Sequence, residues 1–138
     1  MKPLYTASAV ATGDGRNGHV ESVDGILSTD VRTPQEMGGP GGATNPEQLF
    51  AAGYAACFHS ALRLVGQKSG ADVSDSEVVA DVSIGDNGEG GFGLAVALEV
   101  TLPKASREEA QKLVEAAHQV CPYSNATRGN IEVTLSVA

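Results

Sequence analysis

The chain has 138 residues, 41% hydrophobic and 19% charged, and its 17 Asp and Glu against 9 Lys and Arg give a formal net charge of -8. That length predicts one domain, residues 1–138, with a real hydrophobic core. The acidity argues against a nucleic-acid partner, whose phosphates need a basic face. The N-terminus lacks a long apolar stretch of signal-peptide type, and no run reaches the roughly 18 apolar residues of a membrane span. The expectation is a cytoplasmic protein, without a membrane partner, that handles neutral or apolar molecules.

In chain order, residues 4–12 alternate weakly and lead through the turn-forming run Gly13 to Gly18 into His19–Val23, which predicts a hairpin with Arg16 at its tip. A short third strand follows over Gly25–Val31, then a glycine- and proline-rich connector from Thr33 to Thr44. Asn45, Pro46 and Glu47 read as a cap, a first helical proline and a first-turn carboxylate, and the helix they open should stop at Gly70. From Leu49 to Val65 its only strongly polar side chains are His59, Ser60 and Arg63, so it has scarcely a solvent face. Such a helix needs cover on all sides, more than one small sheet and one other helix supply. An obligate homodimer is therefore expected, with Ala51, Ala52, Gly53, Ala55 and Ala56 allowing close backbone approach.

Val78–Ile84, a glycine-rich turn and Phe92–Leu102 predict a long hairpin, with Phe92, Leu94, Val96, Leu98, Val100 and Leu102 on its packed face. Ser106 and Glu109 form a capping box for an amphipathic helix carrying Ala110, Leu113, Val114, Ala117 and Val120. Pro122 interrupts it and starts a short further turn, and Ile131–Val137 closes the chain as a half-buried strand. The order of elements predicts an α+β fold with antiparallel pairing.

The chain has only two cysteines, Cys57 and Cys121, each at a helix or helix start. In a reducing compartment such a pair is catalytic or metal-binding more often than a permanent staple, although each could be a small buried hydrophobe. A nucleophilic Cys57 in an apolar helix needs a cation or donor to offset desolvation. His59 and Arg63 are poorly placed on the same helix, and His59 reads as a satisfied core histidine. Arg16 could stabilise a thiolate and hold a carboxylate in a bidentate fork, or it could be a solvated turn residue. Glu47 could be its carboxylate or an ordinary helix-dipole choice. Ten residues of helix span roughly 15 Å, so Glu47 and Cys57 of one unbroken helix cannot touch. A shared site needs a bridging arginine, a later helix start or two subunits. Cys57, His59, His118 and Cys121 could in number hold zinc, but a Cys-x-His on one helix points its ligands apart, and no metal site is expected.

The segments Gly39-Pro-Gly-Gly-Ala-Thr-Asn-Pro-Glu-Gln-Leu-Phe-Ala-Ala-Gly-Tyr-Ala-Ala-Cys-Phe58 and Val120-Cys-Pro-Tyr-Ser-Asn-Ala-Thr-Arg-Gly-Asn130 closely resemble the organic hydroperoxide resistance branch of the Ohr/OsmC family. The resemblance implies an intertwined homodimer, antiparallel sheets wrapped around central helices, with active sites at the subunit interface. It implies a thiol peroxidase that reduces alkyl and fatty-acid hydroperoxides, in which Cys57 is peroxidatic, Cys121 resolving, and Arg16 with Glu47 the activating polar pair. It further implies no bound cofactor and reduction by dihydrolipoyl groups of a lipoylated protein. An apolar pocket including Leu49, Phe50 and Phe58 would favour organic over hydrogen peroxide. Two other readings of the cysteines are a hydroperoxide-sensing or lipid-binding module without turnover, and a zinc-stabilised structural protein.

Overall fold

A computed structural model describes residues 1–138, which form two compact units, Met1–Leu49 and Phe50–Ala138. In the first unit, strands β1 (Ala9–Asp14), β2 (Asn17–Ser22) and β3 (Ser28–Asp30) pair antiparallel in that order. Asp14 pairs with Asn17, leaving Gly15 and Arg16 as the two-residue tip. Gly15 has a φ of 63°, a left-handed geometry that glycine adopts without steric cost. Across the hairpin, a Cβ on Gly18 would lie 2.0 Å from the Thr12 carbonyl oxygen, so the two backbones approach this closely only with glycine there. The connector closes through a parallel bridge between Val31 and Thr44 and holds a short 3-10 turn at Gln35–Met37. Every residue of β1 is exposed, and Val31 and Asn45 are the only buried residues of this unit.

Helix α1 (Pro46–Ser69) begins where the cap predicts: Asn45 Oδ1 accepts the Gln48 N–H at 2.9 Å. It ends at Gly70, whose φ of 73° turns the chain out of the helix. Tyr54, Phe58, Ala61, Leu62 and Gly66 are buried, whereas Ala52, Ala56, Ser60, Arg63 and Leu64 are exposed. Within one chain, then, the helix is covered on one side only. By length and mean hydropathy α1 reaches the threshold of a membrane-crossing helix, a test that a buried core helix also passes, and as expected no apolar run of that length occurs in it, since His59, Ser60 and Arg63 interrupt it. Its Tyr54, Phe58 and Leu62 are completely sealed in the core of the second unit.

That core is built on strands β4 (Glu77–Asp86), β5 (Phe92–Thr101) and β6 (Glu132–Val137) and helices α2 (Arg107–Val120) and α3 (Pro122–Thr127). Strands β4 and β5 form the expected antiparallel hairpin, but β6 lies parallel to β5, not antiparallel. The physical reason is the crossover: α2 and α3 occupy the connection, long enough to return the chain in the same direction. On β5 the inward positions Val96, Leu98 and Val100 are buried with Leu102 just beyond, while Phe92 at the strand's start is 75% exposed. In α2, Ala110, Leu113, Val114 and Ala117 are buried; Val120, expected among them, is exposed. Ser106 Oγ caps α2 by accepting the Glu109 N–H at 3.2 Å.

Candidate active site

Cys57 lies in the middle of α1, and Cys121 is the residue between α2 and α3, ending one helix and preceding the other. Cys121 has an extended backbone (φ −64°, ψ 122°), and Pro122 suits the first position of the new helix because it has no N–H to leave unpaired. Both cysteines are free thiols, and their sulfurs lie within hydrogen-bonding distance of one another, 3.5 Å apart. Cys121 is fully buried and Cys57 half-buried. A disulfide needs the sulfurs at about 2.05 Å, so an approach of roughly 1.5 Å would join them.

Burial pushes the Cys57 thiol above its ordinary range. The Tyr123 backbone N–H opposes this by donating to the sulfur, whereas the hydrogen bond and charge of Cys121 reinforce it. Within its own unit, therefore, desolvation outweighs the one donor that favours a thiolate. Beside the sulfurs, Phe50, Tyr54 and Tyr123 form an aromatic cluster with ring centroids 5.7–6.0 Å apart. Gly53 makes room for it, since a Cβ there would lie 3.1 Å from the Tyr123 hydroxyl. Of the expected pocket residues, Phe50 is half-buried in this cluster, and Phe58 is completely buried in the core. Leu49, the last residue of the first unit, is half-buried.

In the first unit Arg16 and Glu47 form a bidentate pair, Nη1 to Oε2 at 2.8 Å and Nη2 to Oε1 at 2.7 Å. The hairpin tip presents the guanidinium and the first turn of α1 presents the carboxylate. The side chain of Glu47 is 12% exposed and that of Arg16 37%. Arg16's hydrogen bonds hold the Glu47 carboxyl below its usual range and raise the arginine in return. Of the two readings of Arg16, the fork is the one observed.

His59 Nε2 is bonded to Ser76 Oγ at 2.8 Å, the satisfied histidine expected, and no group of three or more His, Cys, Asp or Glu gathers where an ion could sit. Burial holds the His118 pKa down, with the charge of Arg128 acting in the same direction.

Sequence reasoning missed two features around the thiols. One is the Tyr123 N–H, which belongs to the first turn of α3 and so lacks an intrahelical acceptor. The Pro at the start of that turn was its only sequence signal. The other is a buried hydroxyl cluster in which Tyr54 meets Ser124 and Thr127, more than 60 positions away along the chain. Nothing in local pattern signals that one.

Residues 39–136 match the family model described as OsmC-like protein. An organic hydroperoxide resistance protein of Xanthomonas axonopodis pv. citri is 53% identical over 139 residues, covering 99% of this chain and 96% of its own. Among solved structures, an organic hydroperoxide resistance protein from Legionella pneumophila superposes with a TM-score of 0.95 at 54% identity, covering 99% of both chains. One from Vibrio cholerae, with captopril bound in one of its active sites, gives 0.93 at 50% identity, covering 99% of this chain and 94% of that one.

Proposed function

Because this chain belongs to the OsmC-like family, in its organic hydroperoxide resistance branch, we propose that it protects against organic hydroperoxides by reducing them to alcohols with its own thiols. The observation that carries this reading is the pair of free thiols 3.5 Å apart.

In the proposed reaction the Cys57 thiolate attacks the distal oxygen of an alkyl or fatty-acid hydroperoxide. The O–O bond breaks, the alkoxide takes a proton and leaves as an alcohol, and Cys57 becomes a sulfenic acid. The buried Cys121 thiol then attacks that sulfur, forming the Cys57–Cys121 disulfide and releasing water. A dithiol restores both thiols, and dihydrolipoyl groups on a lipoylated protein are the proposed source. The Tyr123 N–H stabilises the thiolate and, in the second step, orients the sulfenic sulfur.

Burial alone makes Cys57 a weak acid, so the reaction needs a cation. We assign that role to Arg16, with Glu47 fixing its orientation through the bidentate fork. Because α1 is continuous from Pro46, a later helix start no longer accounts for a shared site, which leaves a bridging arginine or two subunits. A homodimer also supplies cover for the open side of α1 and for β1, exposed along its whole length. Leu49 and Phe50 are proposed to meet the substrate's apolar chain.

The test is consumption of cumene hydroperoxide with dihydrolipoamide, a monothiol or no thiol, repeated with hydrogen peroxide. Multiple turnover with the dithiol, preferring the organic substrate and abolished by Cys57→Ser, is expected. A single stoichiometric oxidation that stops with every reductant would point to the sensing or lipid-binding module, and turnover retained in Cys57→Ser would refute the assignment.

A further inference from the structure

The polar cluster under the thiols is sealed from solvent. Tyr54 and Ser124 are 0% exposed and Thr127 6%. The Tyr54 hydroxyl lies 2.9 Å from Ser124 Oγ and 3.1 Å from Thr127 Oγ1, and Thr127 Oγ1 donates to the Ser124 carbonyl at 3.2 Å. One assignment of protons uses every donor: Ser124 donates to Tyr54, Tyr54 to Thr127, and Thr127 to the Ser124 carbonyl. Buried hydroxyls are costly when unpaired, so the circuit holds α3 against α1 in one arrangement and penalises a shift of either.

The cluster brackets both sulfurs. Tyr54 is one turn before Cys57 on the same face of α1, and Ser124 is three residues after Cys121. The Asn125 N–H donates to the Cys121 carbonyl at 2.9 Å, so the first turn of α3 and the cysteine move together. From the far end of α3, Arg128 donates to the His118 carbonyl in the last turn of α2 and, at 3.0 Å, to Asn125 Oδ1. The Tyr54 ring also packs edge-on against Tyr123, whose N–H serves Cys57.

We propose that the Tyr54–Ser124–Thr127 hydroxyl circuit is a positioning device for the resolving step, holding Cys121 in reach of the Cys57 sulfenic acid so that disulfide closure outruns a second oxidation. The inference rests on the peroxidase reading above. Its chemistry is a competition at one sulfur. Attack by Cys121 gives the disulfide and water, whereas a second hydroperoxide transfers its oxygen to the sulfenic acid, giving a sulfinic acid and an alcohol. The dihydrolipoyl reductant does not reverse the sulfinic acid, so the partition between the branches sets how many turnovers one molecule completes. None of the three hydroxyls meets substrate or a reacting atom; they act through the place of α3.

The experiment uses Tyr54→Phe and Thr127→Val in the full chain, with folding checked by circular dichroism. Rapid mixing with excess cumene hydroperoxide follows disulfide closure, and mass spectrometry counts Cys57 sulfinic acid per turnover. The first oxidation is timed separately in a Cys121→Ser background. Closure should slow between about tenfold and a hundredfold in Tyr54→Phe, as expected for a displacement approaching 1 Å. Sulfinic acid per turnover should rise by the same factor, and the first oxidation, which meets α3 only through the Tyr123 N–H, should slow by a much smaller factor than closure. Thr127→Val leaves the Tyr54–Ser124 bond in place and should give a smaller change in the same direction. It also serves as the test if Tyr54→Phe does not fold. Variants that melt earlier yet close and over-oxidise at wild-type rates would show a merely structural cluster and overturn the proposal. Failure of the wild-type protein to form the Cys57–Cys121 disulfide would overturn the peroxidase reading instead.

Discussion

Closing the disulfide should stabilise the chain strongly, because Cys57 and Cys121 are 64 positions apart and the unfolded chain would be tied into one large loop. The chain-entropy relation gives about 4 kcal/mol for a loop of that size, an upper figure from which strain in the folded state subtracts. Because the sulfurs already lie 3.5 Å apart, closure asks for an approach of only about 1.5 Å. At about 3–5 °C per kcal/mol for a chain of this length, the oxidised protein should melt on the order of 10–20 °C above the reduced one. The same cycle makes this disulfide about 90 mV harder to reduce than in the unfolded chain. The assay is thermal denaturation of protein held reduced or treated with one equivalent of cumene hydroperoxide. Protein concentration is held fixed, because association also moves the midpoint. Cys121→Ser should lose the shift completely. An oxidised wild type that melts at or below the reduced form would refute the reasoning, because it would mean that closure displaces α1 or α3.

Replacing Glu47 by Gln should cost about 1 kcal/mol at neutral pH, a charge-assisted pair discounted for the exposure of Arg16. The folded Glu47 pKa is depressed, so its contribution is complete above the unfolded carboxylate pKa and disappears as pH falls through the folded value. Urea denaturation of both proteins from neutral to acid pH should therefore converge at low pH. The proposed role of Arg16 requires Arg16→Ala to move the Cys57 alkylation profile to higher pH, in the direction in which burial already acts; a profile identical to wild type would remove Arg16 from thiol activation. Gly66→Ala puts a Cβ 2.4 Å from Val73 Cγ1, so it should destabilise by about 1–2 kcal/mol despite the better helix propensity of alanine, with partial rescue by Val73→Ala in equilibrium denaturation.

Elements whose causes are local were legible in advance. Asn45, Pro46 and Gly70 mark both ends of α1 because capping and left-handed termination act within a few residues. Ser106 marks the start of α2 for the same reason, and the glycine-rich tip marks the first hairpin. Strand direction is not local: nothing within Glu132–Val137 says that it will lie parallel to β5, because that depends on how α2 and α3 carry the chain across. The fork between Arg16 and Glu47 spans 31 positions and could be entertained from residue type but not chosen. Phe92 and Val120 were misjudged because alternation and helical spacing specify a face without saying where along the element the cover ends. The hydroxyl circuit left no trace, since Tyr54, Ser124 and Thr127 each look ordinary where they stand.

The open first unit bears on how the protein comes into being. Residues 1–49 leave the ribosome before residues 50–138, and among them Val31 is the only apolar side chain buried in the folded chain. A nascent segment of this kind has almost nothing to collapse upon, so β1 to β3 should remain sensitive to proteases until synthesis has gone well past them. Newly made chains would then pass through a vulnerable interval, and the proposed homodimer would make its length depend on how fast they meet one another, so that expression level itself becomes a determinant of yield.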